Sequence, residues 1–115
     1  MPAIAAAFPI LPGKLDAWKR FMHEMAGPRR SEMDAFERRV GYTVVRIWHQ
    51  PTPQGDLAIA YQEGDDPAQF LPRLAAAHEP FDVWFKQQVL EIFGVDFNQP
   101  PSDPPPELVL EWEAR

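Results

Sequence analysis

The chain has 115 residues, no cysteine, a hydrophobic fraction of 45% and a formal net charge of −6. A single domain of this size buries about two-thirds of the surface its unfolded form exposes, so it needs no disulfide or metal staple. The charge argues against nucleic acid and against an anionic membrane surface as partners, and the missing thiols remove disulfides, thiolate nucleophiles and cysteine metal sites.

The N-terminal run PAIAAAFPIL has the apolar character of a secretion signal. It lacks a basic start, however, since the first lysine is Lys14, and Pro9 and Pro12 interrupt it. It reads as a strand over Ala3–Phe8. Alanine packs poorly on a pleat, so a strand this rich in it predicts something large lying against it, a helix or a partner's aromatic rings. No apolar run reaches the roughly 20 residues a membrane helix needs, and the expectation is a soluble, cytoplasmic protein.

After the Pro12-Gly13 turn the period changes. Leu15, Trp18, Phe21, Met22 and Met25 form a helical stripe that Gly27-Pro28 ends, with His23 on its polar side. Ser31 is a capping residue for a second helix with Met33, Phe36 and Val40 on its apolar edge and Gly41 beyond its end. The arginines at 29, 30, 38 and 39 alternate with Glu32, Asp34 and Glu37, which describes a solvated helix face rather than a phosphate-binding patch.

Residues Gly41–Glu63 carry the strongest hairpin signal: YTVVRIWHQ, the turn PTPQG, then DLAIAYQE. The first strand is apolar on both sides, with Tyr42, Val44 and Trp48 assigned to one face and Val45 and Ile47 to the other. Such a strand must be covered twice. Asp66-Pro67 then opens a helix bearing Phe70, Leu71 and Leu74, in which Pro72 predicts a kink or a late start. The next helix is HEPFDVWFKQQVLEIF, starting at His78 with Pro80 in its first turn, and it carries Phe81, Trp84, Phe85, Val89, Ile92 and Phe93 on a broad apolar face ended by Gly94. A Pro-rich loop, centred on 100–106, leads to a last predicted strand over Leu108–Trp112.

The order strand, helix, strand, strand, helix, strand over residues 1–115 is the split βαβ pattern of one α+β, ferredoxin-like domain. It predicts a four-stranded antiparallel sheet with helices on one face. Leu11-Pro12-Gly13-Lys14 leading into Trp18, the Trp48 strand with its Gly55–Tyr61 return, and the Ala77–Asp82 helix entry resemble the dimeric α+β barrel superfamily. The resemblance implies a homodimer with two sheets packed face to face, which supplies the hairpin's second cover. Its members range from cofactor-free monooxygenases and heme-binding proteins to domains without activity, so fold alone does not name a chemistry.

The predicted site is the cleft between helices and sheet. His78 and Asp82, four residues apart, are the candidate proton-transfer pair, with His49, Tyr61, Trp84 and Arg46 as ligand-binding candidates. Helix capping is the competing role for His78, Glu79 and Asp82. Three histidines far apart in sequence give no metal signature, and no cofactor is implied. Three functions follow as alternatives: binding or turnover of a small apolar or aromatic molecule, a non-catalytic interaction module, and heme binding through His49 or His78.

Overall fold

The computed structural model describes residues 2–99 and 104–114. The elements are β1 (Ala3–Pro9), α1 (Leu15–Ala26), α2 (Arg30–Val40), β2 (Tyr42–Thr52), β3 (Gly55–Gly64), α3 (Phe70–Ala76) and α4 (Pro80–Phe93). A single 3-10 turn, Pro67–Gln69, runs into α3. Pro72 therefore falls in the first turn of α3, where its missing N–H has no ladder bond to lose. Gly41 and Gly94 end α2 and α4 in the left-handed conformation that other residues adopt only with strain. Ser31 does not cap α2: Arg29 stands at the N-cap, two residues earlier, without a side-chain cap bond among the described residues.

The sheet has three antiparallel strands in the order β1-β3-β2. The fourth strand expected at Leu108–Trp112 is not formed; that segment is exposed and pairs with no strand among the described residues. The described residues thus form an α+β fold with a three-stranded antiparallel sheet, and the four-stranded ferredoxin-like arrangement expected from the sequence is not formed among them. Of the Pro-rich loop, residues 100–103 lie outside the described residues, and Pro104, Pro105 and Pro106 are exposed.

Register fixes which side chains share a face. Phe8 pairs with Ala58, Ala6 and Ile47 with Ala60, and His49 with Ala58. This face meets the helices: Phe8 packs on Phe93 of α4, His49 on Trp18 of α1, and Tyr42 on Phe70 of α3. Ala58 and Ala60 are buried beneath them. The opposite face presents Ala3, Ala5 and Ala7 of β1, Ile59 and Tyr61 of β3, and Val44, Arg46 and Trp48 of β2.

Tyr42 departs from the alternation expected of its strand. A bulge between Tyr42 and Val44 leaves Thr43 unpaired, so Tyr42 stands opposite Gly64 and Val44 opposite Glu63. The extra residue moves Tyr42 to the helix face, while Val44 and Trp48 stay on the other. Simple parity places all three together, and the bulge is the reason it fails.

The core lies among the helices and against the sheet's helix face. Phe36 packs on Phe81 and Phe85, and Phe21 on Trp84 and Phe85, at centroid distances of 4.8–5.6 Å. Trp18, Met25, Val40, Phe70, Leu74, Val89 and Ile92 are buried with them, as are Ile10 and Ala58. Each such side chain contributes roughly 1.5–3 kcal/mol by leaving water, which is how so short a chain holds four helices on a narrow sheet.

Candidate functional site

The six residues singled out in the sequence are dispersed over four places. Of the two candidate histidines, His49 is the one with a carboxylate partner. Its Nε2 lies 2.7 Å from Asp56 Oδ1, and its ring stands 5.7 Å from that of buried Trp18. The hairpin register produces the pair. Pro51 stands opposite Asp56 and His49 opposite Ala58, so His49 and Asp56 are diagonal neighbours on one face, within side-chain reach. Both side chains are about 30% exposed, so the dyad sits at the rim of the helix–sheet layer, open to solvent on one side. With Nε2 engaged by Asp56, Nδ1 is the ring nitrogen left to meet a ligand.

His78 and Asp82 do not form the pair their spacing predicts. α4 starts at Pro80, so His78 precedes the helix and the one-turn relation does not reach it. Asp82 is fully buried, and both of its oxygens are taken. Oδ1 accepts from Arg39 Nη2, and Oδ2 accepts from the Glu79 backbone N–H at 3.0 Å. With Glu79 it forms a reciprocal capping box on the first turn of α4. Arg73 Nη1 donates to the Val40 carbonyl at the end of α2. Lys86 Nζ donates to the carbonyls of Leu74, Ala75 and Ala77 at the end of α3. Three ammonium protons thus meet three helix-end carbonyls, a fully used donor set at the negative end of the helix dipole. His78 lines an open hollow of about 500 Å³ above this corner, beside Arg39, Arg73 and Glu79.

Arg46 and Tyr61 do meet, on the sheet's open face and away from the helices. The Tyr61 hydroxyl donates to Glu63 Oε2 at 2.7 Å, Arg46 Nη1 lies 3.8 Å from the same oxygen, and the guanidinium sits 5.8 Å from the Tyr61 ring centroid. The hydrogen bond to the Glu63 carboxylate raises the Tyr61 pKa by holding the phenolic proton in place. Trp48 stands on the same face, half exposed. Trp84 is elsewhere again, packed between Phe21 and Phe81 with the Arg29 guanidinium 4.2 Å above its ring. It is an outer core residue.

Three further ionisable residues prove structurally specific: Asp56 and Lys86, which the sequence did not single out, and Glu37, which was expected on a solvated helix face and is instead turned inward. Asp56 was legible by counting back from the two-residue turn, because Thr52 pairs with Gly55. Glu37 falls on the Met33, Phe36, Val40 stripe of α2, which gives away its inward direction. Its Oε2 is buried without a hydrogen-bond partner among the described residues, and burial pushes its pKa up to about 7. Tyr42 nearby is also shifted upward, first by burial and then by the Glu37 charge. Lys86, the third, lies on the broad apolar face of α4, and burial pulls its pKa down against the opposing attraction of Asp82 and Asp96.

Among the described residues, no three of His, Asp or Glu are grouped to hold a metal ion. No helix among them is long and apolar enough to cross a membrane. Comparison with protein-family models, with curated proteins and with solved structures returns no match to this chain.

Proposed function

We propose that the chain is a self-associating module that works as a homodimer of the dimeric α+β barrel kind, two sheets packed through the faces their helices leave open. The observation that carries this reading is the composition of that face. Trp48, 52% exposed, stands opposite Ile59, next to a floor of exposed Ala7 and Ala5. A large indole on one strand and a row of methyl groups two strands away suit a self-complementary, isologous contact, in which each copy's ring seats on the other's alanines. Arg46, Tyr61 and Glu63 lie in the neighbouring cross-strand rows of the same face, where they pair with one another and so bring no unsatisfied polar group to the contact.

Sedimentation or light scattering on the intact chain tests it. The expected result is a dimer at micromolar concentration that Trp48→Glu converts to a folded monomer. A wild-type monomer would overturn it.

A second reading rests on the His49–Asp56 dyad. A small, flat, largely apolar molecule with an exchangeable proton is the ligand class for a carboxylate-oriented imidazole against a tryptophan face. Titration with a panel of small aromatic acids and phenols, followed by Trp fluorescence, checks this. Saturable quenching lost in His49→Ala and weakened in Asp56→Asn supports it, and an unchanged response in both variants removes it.

A further inference from the structure

The C-terminal segment is the largest block of apolar side chains with nothing covering it among the described residues. Leu108, Val109, Leu110 and Trp112 are 72–87% exposed. They belong to LVLEWEA, a run with the alternation and the branched and aromatic residues of a strand. The body of the domain ends earlier, with Val95 and Phe97 the last side chains packed on the core.

The sheet has two outer edges, and they differ. β2 is defended by the devices that natural edges use: the bulge at Thr43, charged Arg46, and Pro51 near its end. β1 has no bulge and no charged residue, and its one proline, Pro9, is its last residue. It is seven neutral residues, Ala-Ile-Ala-Ala-Ala-Phe-Pro, paired with β3 on one side and, among the described residues, with no strand on the other. A neutral, unpaired edge of this kind is a template for another strand. Leu108–Ala114 has the same length, seven residues.

From these two unpartnered features we infer that the C-terminal segment of one copy adds as a strand to the β1 edge of a second copy. The exchange rests on the dimer proposed above and supplies the fourth strand of each sheet in trans. Three observations favour the partner's edge over the chain's own. Among the described residues the segment pairs with no strand, its own β1 included. Three consecutive prolines, Pro104–Pro106, precede it, and such a run is a stiff spacer that holds a tail away rather than folding it back. The face that brings two copies together includes Ala3, Ala5 and Ala7 of β1 itself, so docking through it brings a partner's tail close to that edge. Addition there gives Leu108, Leu110 and Trp112 one face of the extended sheet and Val109 the other.

The chain's lack of cysteine makes the test direct. Ala5→Cys is prepared as one sample, and Leu110→Cys and Glu111→Cys as two others, so that either face of the added strand is sampled. Neighbouring strands hold Cα atoms within disulfide range. Mixed single-cysteine samples can join only between chains. The expected result is a reducible two-chain product from Ala5→Cys with one tail variant, in high yield, together with amide-exchange protection of β1 that falls at least tenfold in Leu110→Asp. That substitution is at an exposed position, so the fold, read by circular dichroism, is retained. A disulfide formed only within a chain carrying both cysteines would mean the tail pairs with its own edge and would overturn the exchange. Absence of any product from a protein that sediments as a dimer would also overturn it while leaving the face-to-face dimer intact. A wild-type monomer would overturn both.

Discussion

Arg39 and Asp82, 43 positions apart, form the ion pair that ties the last turn of α2 to the first turn of α4. Asp82 is buried, while Arg39 remains 41% exposed, so water screens the arginine and the carboxylate's capping bond matters more than the Coulomb attraction. Asp82→Ala is therefore expected to destabilise the fold by roughly 1–3 kcal/mol, and Arg39→Ala by less than about 1 kcal/mol. Urea denaturation of both variants measures the difference. Equal losses would shift the weight from the cap to the ion pair.

Lys86 acts at the other end of the same corner. Replacing it with methionine keeps most of the buried stem and removes the donors to Leu74, Ala75 and Ala77. The expected cost is about 2 kcal/mol, the range for hydrogen bonds from a charged group whose acceptors are left buried. Exchange protection should fall first at the end of α3. A uniform loss across the domain would instead point to disturbed packing.

Glu37 gives the protein a pH dependence with a definite sign. Its carboxyl is pushed from an ordinary 4.5 to about 7 by burial, so between those values the folded state binds a proton the unfolded state has released. Stability is greatest below about pH 4.5 as far as this group is concerned, and falls as pH rises toward 7. Raising a carboxyl that far makes the full loss on the order of 3 kcal/mol. Glu37→Gln keeps the shape without the charge. The difference in stability between wild type and variant should therefore widen from pH 4.5 to 7 in denaturation midpoints, and a constant difference would show that Glu37 does not titrate there.

Gly64 is the tightest backbone position at the base of the hairpin. A methyl group there would strike the Gly41 carbonyl and the Phe70 ring, so Gly64→Ala should destabilise by about 3 kcal/mol, at the upper end for overpacking. Gly13 is the contrast: its φ is +80° but nothing lies within 4 Å of its added Cβ. Gly13→Ala should cost only the backbone term, about 1–2 kcal/mol. Thermal melts of the pair distinguish the crowded site from the merely strained one.

Most elements were legible because their signals are local. The Trp18, Phe21, Met25 stripe, Pro80 in the first turn of a helix, and Gly41 and Gly94 at helix ends all act within a turn of chain. Leu108–Trp112 has the pattern of a strand, but a strand exists only opposite a partner edge, and residue pattern does not say where that edge is. The candidate site failed for a related reason. His78 and Asp82 satisfy helical spacing in the sequence, yet the helix begins between them, and Asp82 turns to its own cap and to Arg39. The histidine–aspartate pair that does form, His49 with Asp56, depends on a turn length and a cross-strand diagonal. The packed aromatic core was readable in kind, as apolar faces of α1 and α4, though which rings meet was not.

Thr43 has a consequence for the lengths this chain tolerates. Because it is the unpaired residue of the bulge, deleting it leaves Tyr42 opposite Gly64 and every later partner unchanged. Losing a residue from Val45 to His49 is a different event. With the turn anchored at Thr52 and Gly55, the side chains N-terminal to the gap would all trade sides, sending polar groups toward the helices and core groups toward water. Within one strand, then, a single-residue gap is silent at one site and inverts the layer order at the next few, so natural length variation in β2 should gather at Thr43.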